Sequence, residues 1–281
     1  MTENAQRDAG LDRFEGGCAV ITGGSGLLGR AMATAFARAG MNVVIADLDG
    51  DAMSSVAVEV EALGRQVLVV RTDVSRAEDM DALSDAVYAR FGQVNPLCLN
   101  AGTAVLKPVL ELSREDWDKV LGAQFNGVMN GIHSFLKRMA GQEGEPHIVI
   151  TSSMSGVGRA DMRSLNAPYV TAKFAVTGLV EVLAAPLAEA GIGISVLCPG
   201  MSVADPESLR GHEWPMASAA FYSDNMLSAE QVAEEVVHGV REGRLHIFPH
   251  RKGREEVLAR HALLMKGFDQ ADRTAPAVDP A

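Results

Sequence analysis

The chain has 281 residues, an apolar share of 47%, a mean hydropathy of +0.08 and a formal net charge of −11. This apolar share is enough for one large core, and the acidic balance without a visible basic patch excludes a typical nucleic-acid binder. The N-terminal segment 1–17 is charged and lacks a signal core, and no apolar run approaches the roughly 18 residues of a membrane span. We therefore expect a cytoplasmic protein with no nucleic-acid and no membrane partner.

The three cysteines, Cys18, Cys98 and Cys198, each lie in an apolar run, and the sequence contains no C-x-x-C pair. A thiol nucleophile is one interpretation of such residues. Free cysteines are nevertheless among the side chains most often buried in protein cores. We expect three reduced core residues, which suits a reducing cytoplasm.

Short apolar runs alternate with longer amphipathic runs along the chain. The short runs are rich in β-branched residues or leucine and carry few charges, as strands covered on both faces should. We predict strands at 18–22, 42–46, 66–70, 96–100, 147–151, 193–198 and 245–248, and helices at 27–39, 50–63, 76–91, 113–139, 168–190 and 228–242. Ser228 and Gln231 form a capping-box pattern at the last helix. The alternation predicts βαβ units and an α/β fold with a central, mostly seven-stranded parallel sheet.

The chain is predicted to form a single domain with its core at about 14–250 and loose ends at 1–13 and 271–281. Three segments do not fit the alternation of strands and helices, namely 102–112, 154–168 and 199–227. All three follow the C-terminal ends of predicted strands, where open α/β sheets bind ligands. Long loops at such places are often lids, so we predict that 199–227 covers a substrate.

A glycine-rich turn, VITGGSGLLGRAMATAFA at 20–37, connects the first predicted strand to a helix. Small residues let the backbone approach a pyrophosphate, and the helix N-terminus offers free N–H groups. Asp47 ends the second strand, 18 residues after Gly29, where a carboxylate can accept hydrogen bonds from ribose hydroxyls. Asp47 would repel a 2′-phosphate, and Leu48 stands where a basic residue could attract one. The pattern favours NAD over NADP, with a plain turn and a solvated strand end as the alternative.

Tyr169 and Lys173 are four residues apart and share one face of a predicted helix. An ammonium beside a phenol favours the phenolate and lowers a pKa that starts near 10. Such a phenol can exchange a proton with a ketone or alcohol while hydride moves to or from a nicotinamide. Ser152, Ser153 and Ser155 follow the fifth strand, where a hydroxyl can donate to a substrate oxygen. A solvated helix face and ordinary turn serines remain open as alternatives.

Taken together, these motifs resemble the short-chain dehydrogenase/reductase family over about residues 14–250. The similarity rests on the glycine turn, Asp73-Val74, LNAG at 99–102, EDWDKVL at 115–121, ITSSMSG at 150–156, YVTAK at 169–173 and LCPG at 197–200. The resemblance implies a Rossmann-like doubly wound sandwich and an NAD(P)-dependent enzyme that acts on CH–OH groups. It also implies homodimers or homotetramers formed through the helices at 113–139 and 168–190.

The resemblance implies roles for individual residues. Tyr169 is then the catalytic acid/base, Lys173 holds ribose and tunes the phenol, and Ser153 donates to the substrate. Asp73 and Val74 are implied to hold adenine. The expected cofactor contacts are Gly23, Ser25, Gly26, Leu27, Leu28, Gly29, Asp47, Leu48, Asp73, Val74, Asn100, Ala101, Gly102, Tyr169, Lys173, Pro199, Gly200 and Ser202. The expected substrate contacts are Ser153, Ser155, Met201 and Trp214, and no metal is expected.

Two residues depart from the family pattern, one in the glycine turn and one at the position of an asparagine that takes part in a proton relay. Leu27 stands where the middle glycine of the turn is usual, and Gly26 precedes it. Gln124 occupies the position of an asparagine that normally holds a backbone kink and a relay water. Gln124 is therefore included among the candidate catalytic residues. Two interpretations stay open: the longer side chain of Gln124 takes over the role of the asparagine, or the proton relay is altered.

Two further departures lie near the expected substrate. Ala204 replaces a threonine that would bind the nicotinamide carboxamide, and Ser202 is the candidate to replace it. Ser153 and Tyr169 are 16 residues apart, about three more than is common in the family.

The loops beside the expected pocket are rich in methionine, which suits irregular apolar surfaces. We therefore predict a hydrophobic, bulky or aromatic secondary alcohol and its ketone as substrates of an NAD-dependent oxidoreductase. Two alternatives remain open: the same fold catalysing dehydration, isomerisation or carbon–carbon cleavage, and a dinucleotide-binding protein without catalysis.

Overall fold

A seven-stranded sheet, parallel between every pair of neighbours, forms the centre of the fold. The computed structural model describes residues 14–158, 165–203 and 226–274. Its strands are β1 (Cys18–Thr22), β2 (Asn42–Asp47), β3 (Val67–Arg71), β4 (Pro96–Leu99), β5 (His147–Thr151), β6 (Gly193–Leu197), β7 (Ser202–Val203), β8 (Leu227–Ser228) and β9 (His246–Ile247). The sheet order is β3-β2-β1-β4-β5-β6-β9, with β7 and β8 as a separate parallel pair. The predicted doubly wound α/β sheet is confirmed, and its strand order reverses between β1 and β4.

Helices follow most of the strands of this sheet. They are α1 (Leu27–Arg38), α2 (Gly50–Ala62), α3 (Ala77–Phe91), α4 (Arg114–Leu121), α5 (Gly127–Gly141), α6 (Ala167–Glu189), α7 (Ala229–Arg241) and α8 (Gly253–Thr274). Apart from the single helix predicted over 113–139, the predicted helices agree with these bounds to within one residue, and the capping box of Ser228 and Gln231 at α7 is confirmed. The sequence did not predict α8, which overlaps the predicted loose tail at 271–274.

Two apolar cores lie on the two faces of the sheet, because successive strand residues point to opposite sides. On one face α3, α5 and α6 pack around Phe135 and Leu83, which are fully buried. On the other face α1, α2 and α7 pack around Phe36 and Met32, which are also fully buried. Each such side chain contributes about 1.5–3 kcal/mol of burial free energy. Both cores hold the C-terminal edge of the sheet in place.

The single helix predicted over 113–139 is interrupted by a π-helical turn, Gly122–Asn126. The prediction was wrong here because periodicity does not reveal an inserted residue, whereas packing does. A Cβ on Gly127 would lie 2.7 Å from a Val74 methyl, and one on Gly131 would lie 2.3 Å from Leu99. These approaches fix α5 closely against the sheet, while the π turn directs the buried Gln124 towards the loop after β4.

α6 is long and apolar enough to cross a membrane by length and composition, whereas the sequence analysis predicts no apolar run of that length. Length and composition alone also fit a core helix. α6 contacts β6, the 3-10 turn Met154–Gly156 and α4, and its Lys173 side chain is buried. α6 is therefore a packed helix of this α/β fold.

The three cysteines are free and buried, as predicted. Burial raises the pKa of Cys18 and of Cys198 to about 12, and it also raises that of Cys98. Buried thiols with raised pKa values are poor nucleophiles, so the structure gives no support to thiol chemistry at these positions.

The predicted lid, 199–227, is described only at its two ends. Ser202 pairs with Leu227 and Val203 with Ser228, so β7 and β8 bring these ends together. The intervening residues, including Ala204 and Trp214, lie outside the described residues, as does the predicted loose head at 1–13.

Candidate active site

A cleft of about 730 Å³ opens at the C-terminal ends of β1, β2, β3 and β4, where the strand order reverses. Thirteen of the predicted cofactor residues line it, namely Gly23, Ser25, Gly26, Leu27, Leu28, Gly29, Asp47, Leu48, Asp73, Val74, Asn100, Ala101 and Gly102. The cleft also includes seven residues that sequence reasoning missed, namely Thr72, Ser75, Thr103, Asp118, Lys119, Gly122 and Ala123. Several of these adjoin predicted positions, and Asp118 and Lys119 belong to the EDWDKVL motif at 115–121, to which the sequence analysis assigns no cofactor contact.

The glycine turn is tightly packed on itself and on the loop after β4. Gly23 has a φ of +63°, and a Cβ there would lie 2.8 Å from the Cα of Ala101. A Cβ on Gly29 would lie only 2.0 Å from the carbonyl oxygen of Gly23. Glycine is therefore required at both positions, and the backbone of the turn is exposed towards the cleft.

The N-terminus of α1 carries no side-chain cap among the described residues, and its first turn has no acidic residue. By contrast, α2, α4 and α7 are capped by Asp49, Ser113 and Ser228. The first N–H groups of α1 are thus left to a ligand or to water. Leu27, at the place of the usual middle glycine, is the first residue of α1 and is 45% exposed.

The Asp47 carboxylate ties the end of β2 to the glycine turn. Its Oδ2 accepts hydrogen bonds from the backbone N–H and the hydroxyl of Ser25, at 3.0 and 2.6 Å. Its Oδ1 accepts from the backbone N–H of Leu48 at 2.7 Å. A carboxylate offers about four acceptor sites, so Asp47 keeps capacity for a ligand hydroxyl.

Asn100 connects three strand ends at the back of the cleft. Its Nδ2 donates to the carbonyl oxygen of Thr22, its Oδ1 accepts from the hydroxyl of Thr151, and its N–H donates to the Thr22 hydroxyl. These bonds join the ends of β1, β4 and β5 at the back of the cleft.

Tyr169 and Lys173 lie on the first turns of α6, one above the other, with Nζ 5.4 Å from the centroid of the phenol ring. Lys173 is 3% exposed, and its Nζ donates to the carbonyl oxygen of Thr151 at 2.5 Å. Burial lowers the pKa of Lys173 to about 7, because the low-dielectric surroundings disfavour the ammonium. Lysine with a pKa close to neutrality can exchange its proton within the physiological range.

Ser152 anchors α6 to the end of β5 and points away from solvent. Its hydroxyl donates to the carbonyl oxygen of Lys173 at 3.0 Å and lies 2.7 Å from the Thr177 hydroxyl. A Cβ on Gly156 would lie 2.5 Å from both this hydroxyl and the Lys173 carbonyl oxygen. Ser152 is therefore a packing residue that fixes the height of Lys173 relative to the sheet.

Ser153 caps the 3-10 turn Met154–Gly156 that follows β5, Ser155 lies within this turn, and each of the two serines is 8% exposed. The hydroxyl of Ser153 accepts from the N–H of Ser155 at 3.0 Å, which leaves its own proton available for donation. The N–H of Met154 donates to the carbonyl oxygen of Pro199, linking this turn to the loop after β6.

Gln124 is 4% exposed and bridges the π turn to the loop after β4. Its Nε2 donates to the carbonyl oxygen of Thr103 at 2.8 Å, whereas Oε1 has no hydrogen-bond partner among the described residues. A Cβ on Gly102 would lie 2.5 Å from Nε2, so the amide rests directly on this glycine. An acceptor left unpaired in a buried place is costly unless water or a ligand fills it.

His250 holds the loop after β6 and was not identified from the sequence. Its Nδ1 accepts from the N–H of Gly200 at 2.9 Å, so Nε2 carries the proton and donates to the carbonyl oxygen of Met201 at 3.0 Å. Burial lowers its pKa, which keeps the ring neutral. The hydroxyl of Ser202, two residues after Gly200, is buried and has no hydrogen-bond partner among the described residues.

Within residues 14–158, 165–203 and 226–274, no group of three or more His, Cys, Asp or Glu side chains is placed to hold a metal ion.

Comparison with known proteins identifies relatives that share this fold and sequence pattern. The C alpha-dehydrogenase of Sphingobium sp. is 32% identical over 86% of this chain and 83% of its own length. The 1-deoxy-11-beta-hydroxypentalenate dehydrogenase of Streptomyces exfoliatus is 32% identical over 84% of each chain. A short-chain dehydrogenase/reductase from Burkholderia phymatum, solved in complex with NAD, is 32% identical and superposes with a TM-score of 0.79 over 96% of this chain and 99% of its own.

The model of the short chain dehydrogenase family matches residues 17–209, which includes the glycine turn, the serines after β5 and the tyrosine–lysine pair. Relatives are named as dehydrogenases of hydroxylated compounds, and solved relatives are complexes with NAD or with NADP. The chain therefore belongs to the short-chain dehydrogenase family of oxidoreductases.

Proposed function

We propose that this protein is an NAD-dependent dehydrogenase that interconverts a hydrophobic secondary alcohol and its ketone. One observation carries the proposal. The buried Lys173 lies under the phenol ring of Tyr169 at the same edge of the sheet as a cleft lined by an uncapped helix N-terminus. A nicotinamide dinucleotide held in this cleft would accept or donate the hydride, and the residues of the protein would bind it, orient the substrate and move the proton.

The chain's own residues fit a dinucleotide. The free N–H groups of α1 suit a pyrophosphate, and the spare acceptor capacity of Asp47 suits a ribose hydroxyl. The unpaired hydroxyl of Ser202 suits a carboxamide in place of the threonine that Ala204 replaces. The negative charge of Asp47 disfavours a 2′-phosphate, and the NAD complex of the Burkholderia relative agrees with this preference.

The proton is moved by Tyr169, assisted by its neighbours. When Lys173 is charged, its ammonium stabilises the phenolate, so that the Tyr169 oxygen can accept the proton of an alcohol and return it to a ketone. The Ser153 hydroxyl, whose proton is available, donates to the substrate oxygen as negative charge develops. Gln124 positions the loop after β4, and its unpaired Oε1 is placed to accept from a relay water.

The substrate we propose is bulky and apolar. Leu165 is 42% exposed beside the start of α6, and Met201 is half-buried in the loop that His250 holds. The pentalenate dehydrogenase relative, whose name denotes a hydroxylated carbon skeleton, supports this class. The predicted role of Trp214 rests on the sequence alone.

We also propose a homodimer or homotetramer built through α4, α5 and α6. The outward face of α6 includes Val182, which is 74% exposed. Burying such a face against a second copy would remove apolar surface from water. The cytoplasmic location stays a prediction.

Titration with NADH and NADPH, followed by nicotinamide fluorescence, tests the cofactor. Tighter binding of NADH is expected, and binding of neither would overturn the dehydrogenase in favour of a non-redox reaction. Turnover of bulky secondary alcohols with NAD tests the chemistry. Tyr169→Phe should lose at least about 1,000-fold in kcat while NADH binding stays within twofold.

Tyr88→Phe is the matched control, because it removes a phenol hydroxyl that bonds to Gln142 far from the cleft. Its turnover should equal that of the wild type. Retained turnover in Tyr169→Phe would show that another group moves the proton.

A further inference from the structure

The chain between β9 and α8 carries a buried histidine, His250, which is 6% exposed. The backbone pairing of β6 with β9 ends where the N–H of Cys198 donates to the carbonyl oxygen of Ile247 at 2.9 Å. Two residues further on, the side chain of His250 binds the main chain instead, through the N–H of Gly200 and the carbonyl oxygen of Met201. The ring thus supplies one acceptor and one donor, as the backbone of a neighbouring strand would.

The ring of His250 packs closely on Gly200. A Cβ on Gly200 would lie 3.0 Å from both Cγ and Cδ2 of the ring and 3.3 Å from Nε2. Ordinary contacts begin at 3.4 Å, so a larger residue at this position would push the ring away. The two hydrogen bonds therefore depend on the glycine as well as on the histidine.

The loop that His250 holds is packed beside the serine turn of the candidate active site. The N–H of Gly253 donates to the carbonyl oxygen of His250, and a Cβ on Gly253 would lie 2.6 Å from the Met154 methyl. Met154 follows Ser153 and donates its own N–H to the carbonyl oxygen of Pro199 at 2.9 Å. The loop after β6 is therefore joined to the start of α8 on one side and to the turn that carries Ser153 on another.

This loop leads directly to Ser202, whose buried hydroxyl has no hydrogen-bond partner among the described residues. A buried hydroxyl without a partner is costly unless water or a ligand pairs with it. Under the proposed function its partner is the carboxamide of nicotinamide. The adenosine and the pyrophosphate would lie in the cleft at the ends of β1 to β4, which His250 does not line. A shift of the loop would therefore affect the nicotinamide end of the cofactor alone.

The two hydrogen bonds of His250 require a neutral ring. Nδ1 accepts only while it carries no proton, and in the imidazolium form both nitrogens are donors. Protonation would direct a new N–H of the ring at the N–H of Gly200, so this bond would be lost and a charge would stand in a buried place. Burial lowers the pKa of His250, so the ring becomes protonated only below about pH 6.5.

Several titratable or charged groups lie on the elements around His250. The loop after β6 contributes Cys198, whose pKa burial raises to about 12, and β9 contributes His246, which pairs with Glu181. The segment around the start of α8 contributes Arg251, Lys252, Arg254, Glu255 and Glu256. The pKa of His250 is lowered by burial and raised by the bond to the Met201 carbonyl, and no charged side chain is among these causes. Burial and these hydrogen bonds therefore govern its protonation.

We propose that His250 is a positioning residue for the nicotinamide end of the cofactor: its neutral ring holds the loop after β6 in place for binding, and protonation of the ring releases that loop. The identity of the ligand rests on the proposed function, whereas the contact between His250 and the loop stands on the structure alone. Acid should then weaken the binding of NADH more than that of ADP-ribose, which lacks the nicotinamide.

Amide hydrogen exchange at about pH 7.5 tests the contact without a cofactor. In His250→Ala the amides of 198–203 should exchange about 10-fold faster or more, because the N–H of Gly200 loses its acceptor. His250→Gln should exchange like the wild type, since its amide offers an acceptor and a donor at nearly the spacing of the two ring nitrogens. Equal exchange in His250→Ala and the wild type would overturn the proposal.

Fluorescence titration with NADH, and its competition by ADP-ribose, tests the role in binding. In His250→Ala the Kd for NADH should rise about 10-fold while that for ADP-ribose stays within about twofold, because only the loop near the nicotinamide loses hydrogen bonds. From about pH 7.5 to about 5.5 the ratio of the two Kd values, NADH over ADP-ribose, should rise at least about fivefold in the wild type and stay constant in His250→Gln. Lys173 and Tyr169 are present in every variant, so their own titration cancels in this comparison.

His238→Gln is the matched control, because it removes an exposed histidine that pairs with Glu242 on α7. It should keep the wild-type dependence of the ratio on pH. A ratio that rises equally in His250→Gln and the wild type would overturn the release by protonation. An equal loss of affinity for both ligands in His250→Ala would overturn the positioning role, because the change would then act on the fold as a whole.

The two ligands also separate this proposal from the proposed function. A wild type that binds ADP-ribose and NADH equally well, with no effect of His250→Ala on either, would overturn the role of His250 and leave the dinucleotide cleft in place. A wild type that binds neither ligand would overturn the proposed function and, with it, the ligand named here. The exchange measurement would still decide whether His250 holds the loop.

Discussion

The glycine turn allows a prediction whose size can be worked from the structure. In Gly29→Ala the new methyl would lie 2.0 Å from the Gly23 carbonyl oxygen and 2.8 Å from the Gly24 Cα. Ordinary contacts begin at 3.4 Å, and all the atoms it meets belong to the backbone, so the turn itself has to move. Steric strain of about 1–3 kcal/mol opposes a helix-propensity gain of about 1 kcal/mol.

We therefore expect a net loss of up to about 2 kcal/mol, or up to about 4 °C in Tm for a chain of this size. The larger effect should be on cofactor binding, because a displaced turn misplaces the N–H groups at the start of α1. Loss of one charge-assisted hydrogen bond, worth about 1.5–3 kcal/mol, raises the Kd for NADH about 10- to 100-fold.

Fluorescence titration and thermal unfolding measure the two effects. Gly50→Ala is the control, since a Cβ on this first residue of α2 meets nothing within 4 Å. It should leave both the Kd and the Tm close to the wild-type values. A Gly29→Ala protein that binds NADH as tightly as the wild type would refute the steric argument.

Two further predictions concern pH. From about pH 7.5 to about 9.5 the free energy of unfolding should rise with pH, by at most about 1.4 kcal/mol per unit, because unfolded lysine retains a proton that Lys173 has lost. In urea denaturation, the free energy of unfolding of Lys173→Met should not show this rise with pH. An equal slope against pH for the variant and the wild type would contradict the prediction. Below about pH 6.5 stability should fall, since the unfolded chain protonates before the buried His250 does. The stability of His250→Gln should fall less steeply with decreasing pH. A decline identical to that of the wild type would show that His250 does not cause it.

The sequence was sufficient for features that depend on neighbours along the chain. Short β-branched runs separated by amphipathic runs gave the strands and most of the helices, because burial on two faces leaves a local pattern. The cleft could be foreseen as well, since the glycine turn and Asp47 follow two strands whose ends must meet at one edge.

Other features could not be read from local patterns. The π turn at Gly122–Asn126 accompanies the close approach of α5 to the sheet, and its Gln124 bonds to a carbonyl oxygen 21 residues away along the chain. His250 is 50 residues from Gly200, which it holds. α8 went unpredicted because most of its described side chains are exposed, so that burial leaves no regular apolar period in its sequence.

The sequence by itself determined the layers of the fold, the turn that can receive a dinucleotide and the spacing of Tyr169 and Lys173, because each is set by residues a few positions apart. Only the tertiary structure decided how these parts act together. It buried Lys173 under Thr151 and so lowered its pKa, which depends on the surrounding dielectric. It also set the loop after β6 against His250, because desolvation and long-range hydrogen bonds arise only when distant segments pack.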